Sequence, residues 1–501
     1  MTDNDPATYS QSFQIADRVE VVFTEAQFNW LQQHLFQPDA NEQAAYAFAA
    51  PVKSEGRLKL LVHHFRSMEA RDFAEQSQGY IELTPEAAHV LTHAALKENW
   101  SLIEIHSHPF ADETVHFSQI DINGVIPRFR WMAERMKAPF YHVMLVFGKS
   151  STDGLIYHQP TDSMVPVHAV NVLAQPYRTM LVRQQDNYLA ETPVQDEASP
   201  YNERVARQVQ AFGAEGQRRV AETTVGIVGV GGVGSFIASE LAMLGVRRFI
   251  LIDQDLVELT NLNRFVGARH DDVGQAKVTV VERAIREVDP NAEITTFKSK
   301  FPTPETVEAL KTVDMLFGCV DNDGARLVLN GFALQYFVPL MDIGTGINTD
   351  GEGNIIESGG QYRVVLAGKF CLECVRAIDP VRAQQDLFSD GQRKVHQERG
   401  YIPDEEISAP AVVFLNGVLA NMAVGEFLNF QTGFREPGRI VYYFMHDQQI
   451  RKVNAPRRLD CVACNEESKW GMGDLERVTG LPPDESTAAI DATIEDIPSP
   501  G

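Results

Sequence analysis

Cysteine is scarce in this chain: five in 501 residues. That number cannot staple a domain, so a disulfide scaffold is excluded and each core must form by burial alone. Basic residues are also few. Lys and Arg total 44 against 68 Asp and Glu, a net charge of −24. Affinity for a phosphate backbone rests on clustered cations, so no nucleic-acid partner is expected, and no anionic membrane surface. The start, M-T-D-N-D-P, is polar and acidic with no apolar stretch behind it. It lacks the marks of a signal peptide, and a cytoplasmic location is expected. No internal repeat and no low-complexity run occurs. The most membrane-like stretch, Val225 to Val246, holds six glycines and Glu240. It opens as a strand with a glycine turn and reads as buried α/β core.

What is present is ordinary globular stock, 44% apolar and 22% charged. The length suits about three domains. Residues 1–170 alternate short apolar strands with amphipathic helices. Thr24 to Leu35 reads as a helix with Thr24 as its N-cap, and Arg57–Phe65, Leu102–Ile105 and Phe140–Phe147 read as strands. Residues 171–200, acidic and turn-rich, are expected to be a linker. From 201 to 468 the runs T-V-G-I-V-G, R-R-F-I-L-I-D, A-E-I-T-T-F, V-D-M-L-F-G-C-V-D and V-P-L-M-D-I-G alternate with helices. That pattern predicts a Rossmann-like, doubly wound α/β sheet. Residues 469–501, rich in Asp, Glu, Pro and Ser, read as a disordered acidic tail.

One constellation in the first half suits a metal. His106 and His108 follow the strand L-I-E-I, and residues two apart on a strand point the same way. Asp121, in Ser118-Gln119-Ile120-Asp121, would be a third, oxygen ligand. Two His and one carboxylate leave a position open, as in catalytic rather than structural zinc sites. S-x-x-D is also a helix-capping pattern, and H-x-H occurs by chance. In this order, H-S-H-P followed by S-x-x-D resembles the JAMM motif of the JAB/MPN metallopeptidases. The resemblance covers about residues 15–165 and implies an α/β zinc hydrolase that cleaves after the C-terminus of a ubiquitin-like protein. It further implies an upstream glutamate as general base, matched here by Glu42, with Glu20, Glu25 and Glu55 as alternatives. The glycine usual shortly after that glutamate is absent. Ser118 would hydrogen-bond the tetrahedral intermediate. His63 and His64 read as surface or packing residues.

The second half carries Gly229-Val230-Gly231-Gly232-Val233-Gly234-Ser235 between a strand and a helix. Such glycines permit a tight turn and let phosphate approach the N–H groups at a helix start. Asp253 ends the next strand, placed for ribose hydroxyls. Alone this suits NAD as well. Asp255, Asn261, Arg264 and Lys277 follow, and cations there would neutralise a triphosphate. Asp321, in V-D-N-D after an apolar strand, is a natural Mg2+ ligand beside phosphates, with Arg326 and Asn330 on the helix beyond. Cys371-x-x-Cys374 and Cys461-x-x-Cys464 together predict a closed, structural tetrathiolate zinc site.

Residues 201–465 resemble the ThiF/MoeB branch of the ubiquitin-activating-enzyme superfamily, through F-G-A-E-G-Q, G-x-G-G-x-G-S, L-I-D-x-D, N-L-N-R, G-Q-x-K, V-D-N and the two C-x-x-C pairs. The resemblance implies adenylation, with Mg-ATP, of the C-terminal glycine of a ubiquitin-like protein. It assigns Gly231, Gly232 and Gly234 to phosphate and Asp253 to ribose. Asn261, Arg264 and Lys277 take the triphosphate, and Asp321 the magnesium. It also implies a homodimer in which an arginine of the leading helix reaches the neighbour's ATP: Arg207, with Arg204 second. A conjugating enzyme or sulfur donor would take the acyl group. Thioester-forming relatives carry a cysteine beyond the first C-x-x-C, but Val375 to Asp460 contains none. Cys319 reads as a small core residue, so no thioester is expected, and Arg393 to Ile407 would guide the partner's tail. Two other readings stand beside this one: a NAD-dependent oxidoreductase with structural zinc, and a non-catalytic scaffold that binds a ubiquitin-like protein.

Overall fold

In the computed structural model the described residues are 16–38, 41–66, 68–136, 141–181, 200–350, 352–388, 410–465 and 468–481. Two sheets carry the architecture. The first has nine strands. At its centre Arg57–Arg66, Ala44–Ser54 and Ser101–Ser107 lie side by side, flanked by Arg18–Thr24 and Val143–Phe147. The strand Ala44–Ser54 runs antiparallel to both neighbours, which sets Ala44 opposite His106 and Tyr46 opposite Glu104.

Helices cover both faces, which is why these strands are apolar along most of their length. The helix Glu25–Leu35 starts at a capping box between Thr24 and Gln27 and buries Phe28, Leu31 and Leu35 on one face. The helices Pro85–Glu98 and Gln119–Ala133 bury Leu91, Val125 and Phe129 on the other, against Tyr46, Phe48 and Leu102.

The second sheet has eight strands. Five are parallel, in the order Glu293–Phe297, Arg248–Ile252, Thr224–Val228, Met315–Gly318, Leu340–Thr349. The chain order reverses at Thr224–Val228, and the crevice beyond such a reversal is where ligands bind in doubly wound sheets. The expected Rossmann-like order is therefore present. Three antiparallel strands, Ile355–Val365, Ile440–Phe444 and Gln449–Val453, extend it.

Several expectations need correction. The first sheet continues past residue 170 through Ala169–Leu173 and Arg178–Leu181, because the V-N-V-L run pairs with Arg18–Thr24. The linker therefore begins later than residue 171. Val225–Val246 is buried strand and helix as expected, but the stretch most like a membrane span, among the described residues, is the helix Val413–Thr432. It buries Leu415, Leu419, Phe427 and Phe430 in the core of the second half. Arg393 to Ile407 lies outside the described residues.

The two halves share a buried face. Val22, Val52, Leu61 and Leu173 of the first sheet join the apolar core of the second half. Arg57 pairs with Glu20 at 3.0 Å and with Asp314 at 3.4 Å. Gln175 donates to Glu426, and the Tyr177 N–H donates to the Phe430 carbonyl.

Residues 468–481 close this joint, which corrects the expectation of a disordered tail from residue 469 onward. Trp470 is buried, its ring 4.9 Å from Phe337 of the second half and 5.7 Å from His63 of the first. Gln335 donates to the carbonyls of Gly473 and Glu476. Asp474 accepts from the Lys53 N–H at 2.8 Å and pairs with Lys311 at 2.8 Å. Met472 and Leu475 pack on the first half's core. This stretch holds a Trp, a Met, a Val and two Leu, enough apolar surface to offset the entropy of ordering.

Candidate functional site

In the first half, the end of the strand Ser101–Ser107 and the start of the helix Gln119–Ala133 meet. His106 comes from the strand and His108 from the turn after it. Asp121 sits in the first helical turn, where Ser118 caps it: Ser118 Oγ accepts from the Asp121 N–H at 3.2 Å, and Asp121 Oδ2 accepts from the Ser118 N–H at 2.7 Å. The carboxylate that closes the capping box is thus also the one that could serve as a metal ligand. The ligand atoms of His106, His108 and Asp121 lie within 4.8 Å of one another. His106 Nε2 is buried, lies 3.8 Å from Asp121 Oδ2 and has no hydrogen-bond partner. Burial holds His106 down at about 4, and holds His108 below its usual value. Neutral imidazoles with an orphaned nitrogen and a nearby carboxylate are a donor set that fits zinc.

Glu42 precedes the strand Ala44–Ser54 and is buried, its Oε1 3.5 Å from His108 Nε2. Burial, with Asp121 adding to it, lifts this carboxyl to about 7. The other candidate glutamates are elsewhere. Glu20 is held by Arg57 and Arg18, Glu25 by Lys369 and Arg178, and Glu55 is exposed in a turn. His63 packs against Trp100 and Trp470.

The four remaining metal candidates also converge. Cys371 Sγ lies 3.8 Å from Cys374 Sγ and 3.6 Å from Cys461 Sγ, and Cys374 Sγ lies 3.4 Å from Cys464 Sγ. Disulfide sulfurs sit about 2.05 Å apart. Sulfurs around one tetrahedral zinc, at about 2.3 Å each, sit roughly 3.8 Å apart. All four are buried, so a tetrathiolate ion fits. Asn330 Oδ1 accepts from the Leu372 N–H, so this residue holds the cysteine knuckle instead of facing nucleotide.

The glycine loop is shaped by backbone contact. Gly229 has φ +85°, and a Cβ there would lie 2.5 Å from the Cys319 carbonyl oxygen. A Cβ on Gly234 would lie 2.0 Å from the Gly229 oxygen. Gly231 caps the helix Gly232–Leu244. Asp253 accepts from the N–H groups of Val230 and Asp255, tying the loop to the next strand; burial raises its pKa. A small cavity opens here, lined by Gly231, Gly232, Asn261, Arg264, Phe265 and Lys277. Lys277 pairs with Asp255 at 2.7 Å. Asp321 is exposed just beyond the strand Met315–Gly318, at the same carboxyl edge, but does not line that cavity. Arg326 is engaged by Asp342 and the Val320 carbonyl.

One residue escaped the sequence reading. Asn416 Nδ2 would lie 2.4 Å from a Cβ on Gly232, and its Oδ1 accepts from Thr345 Oγ1 at 3.2 Å. The signal was a lone Asn in the apolar run V-F-L-N-G-V-L-A. On the helix Pro200–Glu222, Arg204 is committed to the Ala242 carbonyl and to Asp289, while Arg207 is exposed.

Comparison with known proteins matches residues 205–463 to the ThiF family. The adenylyltransferase and sulfurtransferase MOCS3-1 of Zea mays is 26% identical over 53% of this chain and 52% of its own. The sulfur carrier protein adenylyltransferase of Thermus thermophilus is 25% identical over 54% of this chain and 92% of its own. A shorter match, 43% identical over 29% of this chain and 58% of its own, is the tRNA threonylcarbamoyladenosine dehydratase of Bacillus subtilis. The chain spans about half the length of the first of these relatives.

Proposed function

The chain belongs to the ThiF family through residues 205–463, and from that premise we propose that its second half adenylates the C-terminal glycine of a ubiquitin-like protein with Mg-ATP. The carrying observation is the cavity at the reversal of strand order, where Arg264 and Lys277 meet the N–H groups of a glycine loop. The glycine carboxylate attacks the α-phosphorus; the bond to pyrophosphate breaks, and pyrophosphate leaves with its charge. Helix-start N–H groups, Arg264 and Lys277 stabilise that charge, Asn261 borders it, and Asp253 takes the ribose. Asp321 would hold magnesium. NAD lacks a triphosphate for those cations. An RNA-borne carboxylate, suggested by the Bacillus relative's name, suits a chain of net charge −24 poorly. The test is ATP–pyrophosphate exchange with a glycine-ended partner. Asp321→Ala should lower it by roughly 100-fold or more; unchanged exchange would remove Asp321 from the site. Arg207, exposed where Arg204 is not, is the arginine to reach across a homodimer.

For the first half we propose a zinc peptidase that cleaves after the same C-terminus. His106, His108 and Asp121 would hold the ion, which when bound supplies Lewis acidity at the scissile carbonyl. Glu42 takes the proton of the attacking water and returns it to the leaving amine. Ser118 keeps its hydroxyl proton free to donate to the tetrahedral oxygen. Support comes from geometry and donor chemistry alone: four residues from three separate stretches meet in one place. Metal analysis should find two zinc ions per chain, and one in His108→Ala. That variant should lose peptidase activity and keep adenylation. A single zinc in the unaltered protein would sink the peptidase reading.

The adenylate should leave without a thioester on this chain. Cys319 is the one thiol outside the zinc pairs. It lies under the glycine loop, and burial followed by the nearby Asp342 pushes its pKa up strongly. Reactive thiols need the opposite surroundings. A conjugating enzyme's cysteine or a sulfur donor then receives the acyl group. A non-reducing gel of enzyme, Mg-ATP and partner should show no thiol-sensitive adduct; one that disappears in Cys319→Ser overturns this step.

A further inference from the structure

Glu104 lies two residues before His106 on the same strand face, opposite Tyr46. Arg128 lies seven residues, two turns, beyond Asp121 on the helix Gln119–Ala133, so it shares Asp121's face. Arg128 Nη2 donates to Glu104 Oε2, and the pair is largely buried. Strand and helix thus face each other at two levels: His106 toward Asp121 at 3.8 Å and, two helical turns further along, Glu104 paired with Arg128. A buried ion pair contributes little net stability compared with an apolar pair of the same volume. What it does fix is register, because a charge displaced by one residue would be buried alone. Arg128 Nε and Glu104 Oε1 are buried without partners, so the pair is held by one contact and is not optimised for energy.

We propose that Glu104 and Arg128 are positioning residues of the zinc site: their pairing holds the helix so that Asp121 faces His106, and so sets the affinity of that site for metal. This rests on the zinc reading of the first half. The outer partners of metal ligands commonly govern affinity by about 10–100-fold.

The probe is cobalt, loaded into the first-half site with zinc left in the tetrathiolate site. In Arg128→Met, chelator competition should show cobalt binding about 10–100-fold weaker, with shifted visible bands and unchanged zinc at the four cysteines. Arg128→Lys should recover most of the affinity. Should Arg128→Met fail to fold, Glu104→Leu with Arg128→Met removes both charges together, keeps the volume and should show the same weakened site. A folded variant with normal cobalt affinity and unshifted bands overturns the positioning role. An unaltered protein that takes no cobalt at all overturns the zinc reading beneath it, which is a different result.

Discussion

Gly234→Ala should weaken ATP binding by this protein on the order of 100-fold, while Gly331→Ala should leave it unchanged. At Gly234 the added Cβ falls 2.0 Å from the Gly229 oxygen and 3.0 Å from its carbonyl carbon. Both are backbone atoms, so no rotamer change relieves the clash. The far side cannot yield either, because Gly229 is held at φ +85° with the Cys319 carbonyl against it. The loop can relax only by lifting away from the helix start, which pulls the N–H groups off the phosphate. Overpacking of this kind costs about 3 kcal/mol, and about 3 kcal/mol is on the order of 100-fold in affinity. At Gly331, inside the helix Asp323–Tyr336, a Cβ meets nothing within 4 Å. Alanine there should be neutral or slightly stabilising, through its smaller unfolded-state entropy. Calorimetric titration with ATP, beside thermal unfolding of both variants, separates lost binding from lost folding. A folded Gly234→Ala that binds ATP normally would mean that the phosphate lies elsewhere.

The sequence was most readable where a local rule has one physical cause. The Thr24–Gln27 box marks a helix start because four N–H groups there lack partners. The glycine loop shows itself because backbone approach this close admits no side chain. Two C-x-x-C pairs show themselves because few arrangements hold four thiols together. Legibility fell where distant residues decide. The three antiparallel strands beyond Leu340–Thr349 carry only short apolar runs, and pairing, not pattern, makes them strands. Asn330 sat at a position that suited nucleotide, yet its amide was spent on the Leu372 N–H. Glu42 was one of four candidates until the fold brought Ala44 opposite His106. Asn416 carries no signal in the sequence beyond its place in an apolar run; the fold alone sets its amide against Gly232. The tail reading failed for the same reason. Composition averaged over 469–501 hides a dozen residues that have somewhere to pack.

Trp470→Ala should loosen the first half from the second more than Asp474→Ala at the same joint. The indole is 5% exposed and lies between Phe337 and His63. Removing such a side chain costs about 3–5 kcal/mol, set by how far the gap can collapse. Little collapse is available, since Gly471 is tied to the Leu334 carbonyl and Gly473 lies against Pro51. Asp474→Ala should cost less, about 1 kcal/mol, because the Lys311 ammonium keeps Glu308 at 2.5 Å and the exposed Lys53 N–H turns to water, with no large void created. Amide hydrogen exchange reads the difference. In Trp470→Ala, exchange should quicken at the Val52 end of the strand Ala44–Ser54, far from Glu42. Exchange around Gly229 to Gly234 should stay slow, because that loop follows the carboxyl end of the strand Thr224–Val228, whereas Phe337 precedes the amino end of the parallel strand Leu340–Thr349. Equal exchange in the variant and the unaltered protein would show that the halves hold together without the indole. Trp470 follows Cys464 by six residues, so the tetrathiolate site and the joint share one short tether. If the four cysteines hold zinc as proposed, a chelator that strips it should reproduce the Trp470→Ala pattern in the first half, although none of those cysteines belongs to it.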